Sequence, residues 1–508
     1  MTHGRLDGTL RRVWWLGVAV AAVQLVVLIV WSAHLWARFD LTTDFATFSQ
    51  AWNLIGTGHL DPVETTFAYG YPHYGYPFWQ SHFELVLWPL ALLRTIGLSA
   101  FSLLVVQNLA LAATTAAAVR FGLELLGTYW RGPDRVRTGI AVGLVAAAVV
   151  TPWTYWAASF DFHLQPLALC FTVLCARDLW AGRRRAWWWA AAVLACGDVA
   201  ASYLIGLGLA AVVSGRALRR RGALLVGVGV LWILLVIAVG SGKGSSLAGN
   251  YGYLAHVTGA TGLHGTVAVV GGIAAHPADV AHVLRVRAPG IWQYLTAAGT
   301  IGVVAPLGAA MALVVLVPNA LNQSPVFIGA DAAFQNLAAV VFVLLGAVCV
   351  CTWLARRRAG PALAAVAAAA MLVQVVVAGV LWIPRIPAAF AVVDATTAHS
   401  LAAVQAALPP GAEVIVSQGV IGRFADRRDL YPFIDAFADG QTVPITARPV
   451  AFVFVADHGL ELATPDQTRR AAAQVARLPG VERLPAGPGV MAYLWHPPPG
   501  TTSLRFAP

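Results

Sequence analysis

The sequence has few charged residues for its length. Only 11% of its 508 residues are Asp, Glu, Lys or Arg, and Lys243 is the single lysine. Soluble globular proteins carry about 25% charged residues, so this composition excludes a soluble enzyme or soluble binding domain for the chain as a whole. Cysteine is also scarce. The five cysteines all lie in apolar segments, which is typical of small buried side chains and not of a disulfide framework or a metal site.

Apolar residues are abundant instead. They make up 59% of the chain, the mean hydropathy is +0.71, and several apolar runs reach the roughly 18 residues needed to cross a bilayer. The net charge of +10 comes from arginines grouped in short loops between these runs. That is the positive-inside pattern of membrane proteins, so we predict no nucleic-acid partner. The clusters fall at residues 11–12, 131–137, 183–185, 216–221 and 356–358.

The alternation of apolar runs and arginine clusters predicts an α-helical polytopic membrane protein with about 11 transmembrane helices in residues 1–386. The first span follows Arg11 and Arg12, which places the N-terminus in the cytoplasm. Segment 186–213 has basic clusters on both sides, so we expect two short helices that meet at Asp198. Residues 240–290 are expected to form a second outer loop. Arginine usage and the scarcity of lysine are typical of a GC-rich bacterial genome, and we predict the bacterial plasma membrane as the location.

The composition changes after the last apolar run. Within residues 387–508, the runs Glu413–Ser417 and Val450–Val455 predict strands, and segments 396–408 and 467–478 have helical patterns. Alternating strands and helices indicate a small α/β domain. The predicted topology places this domain outside the cytoplasm.

A polar and aromatic loop, residues 38–82, follows the first span and is predicted to lie on the outer face of the membrane. Segment 45–55 has a helical pattern that would let it lie flat on the interface, and Gly56 and Gly58 would end it. Segment 82–96 is apolar but short, and we interpret it as re-entrant or interfacial. A loop this long between spans is uncommon unless it has a function.

Ionisable and polar residues from distant segments fall on the same side of the predicted topology. Ionisable groups at or inside a membrane cost about 3 kcal/mol or more, so they usually mark function. Converging carboxylates would serve as a general base or hold a divalent cation such as Mg or Mn, with Asp44 and Asp161 as ligands. Simpler interpretations stay open: Asp44 as the cap of a helix that starts at Phe45, and Asp161 with His163 as a solvated turn. The residues concerned are Asp44, Gln50, His82, Glu84, Asp161, His163 and Asp198.

The same residues resemble a large prokaryotic family of polytopic membrane proteins, catalogued as a domain of unknown function and related to the GT-C glycosyltransferases. The likeness runs over most of the chain, including an outer C-terminal domain. Two positions depart from the family pattern: Gly197 precedes Asp198 where members often have Glu-Asp, and Gln335-Asn336 stands where a His-Tyr pair is expected. The motifs that carry the likeness are Asp44-x3-Phe48-x-Gln50-x-Trp52-Asn53, His82-Phe83, Asp161-Phe162-His163 and Asp198.

The resemblance implies a GT-C-like fold and a membrane enzyme that takes a sugar from a polyprenyl-phosphate donor at the outer face. The acceptor would be a glycan or protein of the cell envelope. Asp44 matches the acidic residue that acts as base or orients the acceptor, and Asp161 with His163 matches a second acidic motif. Gln50, His82 and Asp198 are expected to contact substrate. Outer-side cations would stabilise the departing phosphate, and the candidates are Lys243, Arg285, Arg287 and Arg385.

Two other functions fit the same sequence. A transporter or flippase for a lipid-linked or small anionic substrate would also use broken helices and intramembrane acids, although the hydropathy shows no internal repeat. A non-catalytic scaffold that binds envelope partners through its outer domain is the third possibility.

Overall fold

A computed structural model describes residues 6–66, 75–239, 243–258, 262–357, 360–434, 440–446 and 448–507. The helices of the described residues are α1 (Gly8–Arg38), α2 (Thr43–Gly56), α3 (Phe78–Ser81), α4 (Leu87–Thr95), α5 (Phe101–Tyr129), α6 (Asp134–Val150), α7 (Pro152–Ser159), α8 (Gln165–Trp180), α9 (Ala186–Ala195), α10 (Asp198–Ser214), α11 (Arg216–Val239), α12 (Lys243–Ala255), α13 (Gly262–Ala275), α14 (Pro277–Thr296), α15 (Pro306–Leu321), α16 (Ala333–Leu354), α17 (Gly360–Trp382), α18 (Ile386–Phe390), α19 (Ala395–Ala407) and α20 (Pro465–Val475). The strands are β1 (Val63–Glu64), β2 (Tyr76–Pro77), β3 (Glu413–Ser417), β4 (Leu430–Phe433), β5 (Thr442–Pro444), β6 (Val450–Val455), β7 (Val481–Arg483), β8 (Val490–Trp495) and β9 (Ser503–Arg505).

Several of these helices are long and apolar enough to cross a membrane. Six spans pass on length and composition, two of which combine adjoining helices (α6 with α7, and α17 with α18), and a seventh results if α13 and α14, which meet at 83°, are counted as one broken span. Three apolar helices, α9, α10 and α15, are shorter. The described residues are therefore mostly helical, with six or seven membrane-length spans and a small C-terminal sheet; the predicted count of eleven stays a prediction. The six spans are Gly8–Arg38, Phe101–Tyr129, Asp134–Ser159, Arg216–Val239, Ala330–Leu354 and Gly360–Phe390.

The helices differ in how much of their surface is covered. Helix α16 lies at the centre of the bundle, almost entirely buried, whereas α1, α11 and α17 expose most of their apolar side chains. In a soluble protein such exposed apolar faces would be unfavourable. A lipid environment accommodates them, because hydrocarbon chains are as apolar as these side chains.

The break between α9 and α10 is where the sequence predicts it. Helix α9 ends at Ala195, and Gly197 takes a positive φ of 117° before α10 begins at Asp198. An added Cβ at Gly197 would lie 2.8 Å from Cγ of Glu84, so both backbone angle and space require glycine.

Two local predictions were wrong. Segment 240–290 is not a loop, because its described residues form α12, α13 and most of α14; the apolar residues between its histidines and arginines are frequent enough to sustain helices. Helix α2 forms as predicted but does not lie flat on a membrane interface, since almost all of its side chains are buried. The C-terminal region covers it. An added Cβ at Gly422 would lie 3.0 Å from Cδ1 of Phe45 in α2.

The C-terminal region is the α/β unit that the strand and helix patterns predict. Its five-stranded sheet has the order β4-β3-β6-β8-β7, in which β4, β3 and β6 run parallel and β8 runs antiparallel to β6. Apolar side chains of α19 pack on one face of the sheet and those of α20 on the other. The two predicted strands match β3 and β6 residue for residue, and the two predicted helices match α19 and α20 within about three residues.

Candidate functional site

A cavity of about 460 Å³ opens beside α2 inside the helical bundle. We call it the acidic cavity, because the carboxylates of Asp44, Glu84 and Asp198 line it together with the imidazoles of His82 and His163. These five residues are up to 154 positions apart in the sequence, counting from 44 to 198. They come from the first turn of α2, the segment between α3 and α4, the segment before α8 and the first turn of α10.

Asp44 and His163 form a pair at one wall of this cavity. The Nε2 atom of His163 lies 3.3 Å from Oδ2 of Asp44. The backbone N–H of His163 donates to the side-chain carbonyl of Gln107 (2.7 Å). The His163 ring stacks on the ring of Phe334, with centroids 3.5 Å apart. The imidazole is thereby fixed, and its side chain is only 7% exposed, against 29% for Asp44. Asp44 is the partner that reaches the cavity more openly, so an entering hydroxyl would meet its carboxylate.

Asp161 does not line the cavity, although its neighbour His163 does. The Asp161 carboxylate accepts hydrogen bonds from the backbone N–H of Thr42 (2.9 Å) and from its hydroxyl. Burial, followed by the charge of Asp44, raises the pKa of Asp161 to about 6. Thr42 is the N-cap of α2 and makes no side-chain cap bond to its own helix. Asp161 therefore holds the start of α2, and Asp44 lies within the first helical turn and does not cap a helix beginning at Phe45.

His82 lies between two carboxylates. Its Nε2 atom is 3.9 Å from Glu64 and its Nδ1 atom is 3.9 Å from Glu84. Glu64 is fully buried and accepts from the hydroxyls of Tyr76 and Ser81. Sequence reasoning did not single out Glu64, because an acidic residue in a polar loop is usually exposed; no pattern around it signals burial.

Gln50 lies away from the acidic cavity. Its side chain is fully buried, its amide N–H donates to Thr65 (2.8 Å) and to the carbonyl of Arg428 (2.8 Å), and its carbonyl accepts from the backbone N–H of Thr65. Instead of facing the acidic cavity, the Gln50 side chain links α2 to the following loop and to the C-terminal domain. A fully buried amide with these partners has no face left for a ligand.

The predicted cations also lie elsewhere. Arg285 is exposed, Arg287 donates to the carbonyl of Gln323 (3.3 Å), and the guanidinium of Arg385 lies over the ring of Trp382. In the part of the chain that the structure describes, no arginine lines the acidic cavity. The side chain of Lys243 lies outside the described residues.

A two-carboxylate metal site at Asp44 and Asp161 does not fit this arrangement. Both oxygens of Asp161 are engaged by Thr42. Among the described residues, no group of three or more His, Cys, Asp or Glu is placed to hold a metal ion. The dependence on a divalent cation stays a prediction from the sequence.

Comparisons with protein-family models, with curated proteins and with solved structures found no match. The class is defined by the molecule itself: a helical membrane protein that carries a small α/β domain and encloses an acidic cavity. Any assignment to a particular family stays with the resemblance of the motifs.

Proposed function

We propose that the protein is a membrane glycosyltransferase of GT-C type, which transfers a sugar from a polyprenyl-phosphate donor to a cell-envelope glycan or protein. One observation carries the proposal. The carboxylate of Asp44, paired with His163, faces a cavity of about 460 Å³ that Asp198 and His82 also line. A cavity of this size suits a small ligand such as a sugar.

Asp44 is the base in the proposed reaction. The acceptor hydroxyl oxygen attacks the anomeric carbon, the bond from that carbon to the phosphate oxygen breaks, and polyprenyl phosphate leaves with the bonding electrons. The hydroxyl proton passes to Asp44. His163 is a positioning residue. Its Nε2–H donates to the Asp44 carboxylate and fixes the orientation of that carboxylate. Asp161 positions α2, and through it Asp44.

Charge on the departing phosphate needs hydrogen-bond donors. Donors that line the cavity include His82 and the side-chain amides of Gln165, Asn250 and Gln335. His82 lies 3.9 Å from each of two carboxylates, close enough to pair with them as an imidazolium. In the proposed reaction no step passes through a metal, and Arg285, Arg287 and Arg385 take no part.

A lipid-linked donor fits the composition of the cavity wall. Ile233, Val236 and Ile237 of α11 line the cavity, and the neighbouring Leu231 and Leu234 of the same helix are exposed. Helix α11 therefore separates the cavity from the lipid. A polyprenyl chain would lie along its apolar side, with the phosphate and sugar inside. We further propose that the N-terminus is cytoplasmic, that the C-terminal domain lies outside, and that about eleven helices span the membrane.

The test is sugar transfer by the purified protein in lipid nanodiscs. Undecaprenyl-phosphate carrying radiolabelled glucose, mannose or galactose is supplied with a cell-envelope extract, and release of label from the lipid is measured. We expect Asp44→Asn to lower the rate by about 10²–10⁴ while Asp61→Asn, an exposed change in the same loop, leaves it unchanged. An Asp44→Asn rate equal to wild type would refute the role of Asp44.

A second candidate is a transporter or flippase, favoured by one observation. The broken pair α9 and α10 places Asp198 in the cavity, and broken helices of this kind bind substrates in transporters. The flippase is the correct function if no labelled donor is turned over in the nanodisc system and the same lipid moves across the bilayer in proteoliposomes. If the protein shows neither activity but its C-terminal domain captures envelope components, the non-catalytic scaffold is the remaining function.

A further inference from the structure

A second cavity, of about 330 Å³, lies on a different face of α2 from the acidic cavity. We call it the arginine cavity, because Arg94 and Arg423 both line it. Asp44, Thr47 and Phe48 of α2 face the acidic cavity. Ser49, Trp52 and Asn53 face the arginine cavity. One short helix thus separates a negatively charged space from a positively charged one.

Both arginines are held by neighbours that leave donors available. Nε of Arg94 donates to Asn53 (2.8 Å), and the stem of Arg94 passes Gly56 so closely that an added Cβ there would lie 2.5 Å from its Cβ. The guanidinium of Arg423 donates to Gln405 (3.0 Å) and to the backbone carbonyl of Trp36 (3.3 Å), and it rests on the ring of Phe39, 3.9 Å from its centroid. Its Nε atom is buried without a hydrogen-bond partner.

The rest of the lining also suits an anion. Residues Gly97 to Ala100 line the cavity immediately before α5, and the first turn of this 29-residue helix has no side-chain cap. The N-terminal end of a helix carries the positive end of the helix dipole, which attracts negative charge. The one acidic side chain of the described lining, Asp426, lies exposed at the rim, where Arg427 pairs with it at 3.1 Å.

The arginine cavity lies at the ends of two membrane-length helices, α1 and α5. The span α1 ends at Arg38, two residues after Trp36, and the span α5 begins at Phe101; Trp36 and Ala100 both line the cavity. Tryptophan at the end of a span is typical of the headgroup level. Leu92 and Ile96 of the adjoining segment are 63% and 72% exposed. An apolar surface therefore leads directly to two guanidinium groups.

We propose that the arginine cavity binds the phosphate group of an anionic membrane lipid, with the acyl chains lying along Leu92 and Ile96. Arginine forms bidentate hydrogen bonds with phosphate oxygens, and Arg94 and Arg423 come from the helical bundle and the C-terminal domain respectively. A bound phosphate therefore joins the two parts of the molecule beside α2. This site is separate from the proposed sugar-transfer site, and its test does not depend on activity.

The test uses the full chain purified in a neutral detergent. Short-chain phosphatidic acid, phosphatidylcholine or inorganic phosphate is added at equal concentration, and the Tm is followed by intrinsic tryptophan fluorescence. At about 100 times the Kd of the lipid we expect phosphatidic acid to raise the Tm by roughly 3 °C, with no rise from phosphatidylcholine. An equal rise with inorganic phosphate would overturn the lipid as the source, and no rise with either phosphate compound would overturn the site.

The matched variants are Arg94→Gln and Arg285→Gln. Arg285 is exposed and lines neither cavity, so its loss should keep the full rise with phosphatidic acid. Arg94→Gln should lose most of the rise, and Arg94→Lys, which keeps the charge, should retain part of it. The readout is the lipid-dependent change within each variant, so a lower starting Tm does not affect the conclusion. An unchanged rise in Arg94→Gln would refute the assignment.

Discussion

The two cavities beside α2 differ in charge and in origin. The acidic cavity is lined by residues of the helical bundle, including Asp44, whereas the arginine cavity is shared between the bundle and the C-terminal domain, which supplies Arg423. The comparison shows that α2 is the structural element on which both depend. A change that moves α2 should disturb both cavities, and a change on one face should disturb one.

The division also suggests separate tasks for the two parts of the chain. Carboxylates confined in a bundle are suited to accept a proton, while guanidinium groups at the junction with a small domain are suited to fix that domain to a lipid surface. The C-terminal domain contributes no described residue to the lining of the acidic cavity. Its expected influence on the proposed chemistry is therefore indirect, through the position of α2.

The largest effect on the fold is expected from Gly197→Ala, which changes the acidic cavity alone. A non-glycine residue at φ 117° is strained, and the new Cβ would lie 2.8 Å from Cγ of Glu84. We expect a loss of roughly 3 kcal/mol in the free energy of unfolding, measured as a lower Tm. Gly143→Ala in α6, where an added Cβ meets nothing within 4 Å, is the control and should be neutral or slightly stabilising, because alanine favours a helix more than glycine does. A Tm for Gly197→Ala equal to that of the control would contradict the strain.

Gln50→Leu should disturb both cavities, because Gln50 ties α2 to the C-terminal domain. The change removes the bonds to Thr65 and to the carbonyl of Arg428 and leaves buried polar groups unpaired. We expect a loss of about 2 kcal/mol and faster hydrogen exchange in both α2 and β4. Gln474→Leu, which removes bonds to exposed partners, should cost about 0.5 kcal/mol. Faster exchange confined to α2 would argue against the link to the domain.

The sequence predicts the regular elements well where the local pattern decides them. Strands β3 and β6 match because β-branched and aromatic runs have no competing helical period. The break before Asp198 matches because Gly197 and Asp198 interrupt an apolar segment that basic clusters flank on both sides, a pattern that predicts two short helices. Segment 240–290 is helical although its polar residues predict a loop, because the apolar residues between them are frequent enough to sustain α12, α13 and α14.

The direction of individual side chains in the site could not be predicted. Asp161 and His163 are two residues apart, yet a φ of 46° at Asp161 turns its carboxylate to Thr42 while His163 faces the cavity. The burial of Gln50 and Glu64 depends on tertiary contacts with segments far along the chain. The predicted topology puts Arg285, Arg287 and Arg385 on the same side of the membrane as Asp44, but it does not predict their distances from Asp44.

Asp161→Asn should change the pH dependence of stability. Burial and the charge of Asp44 raise the pKa of Asp161 from 3.8 to about 6, so its contribution to stability is full below pH 3.8 and is lost as the pH rises through about 6. Asparagine does not titrate, so the variant should lose less stability than wild type between pH 4.5 and pH 7, by on the order of 1 kcal/mol. Asp40, whose pKa burial raises to about 7, titrates in both proteins and cancels in the comparison.

The measurement for Asp161→Asn is the Tm at the two pH values in wild type and variant. Asp466→Asn, which removes an exposed carboxylate paired with Arg469, is the control and should follow wild type. If the gap between wild type and Asp161→Asn were the same at both pH values, the carboxylate would not be titrating in this range, and its link to Asp44 across the α2 N-terminus would be lost.

The smallest effects are expected where the sequence predicted phosphate-binding cations but neither cavity contains them. Arg285→Gln and Arg385→Gln alter side chains that are exposed and line neither cavity, so each should change the free energy of unfolding by less than about 0.5 kcal/mol and leave sugar transfer unchanged. These two variants test whether an arginine outside both cavities contributes to sugar transfer. A tenfold loss of transfer in either variant, with an unchanged Tm, would mean that the leaving phosphate lies outside the acidic cavity, and the role of Asp44 as its neighbouring base would have to be withdrawn.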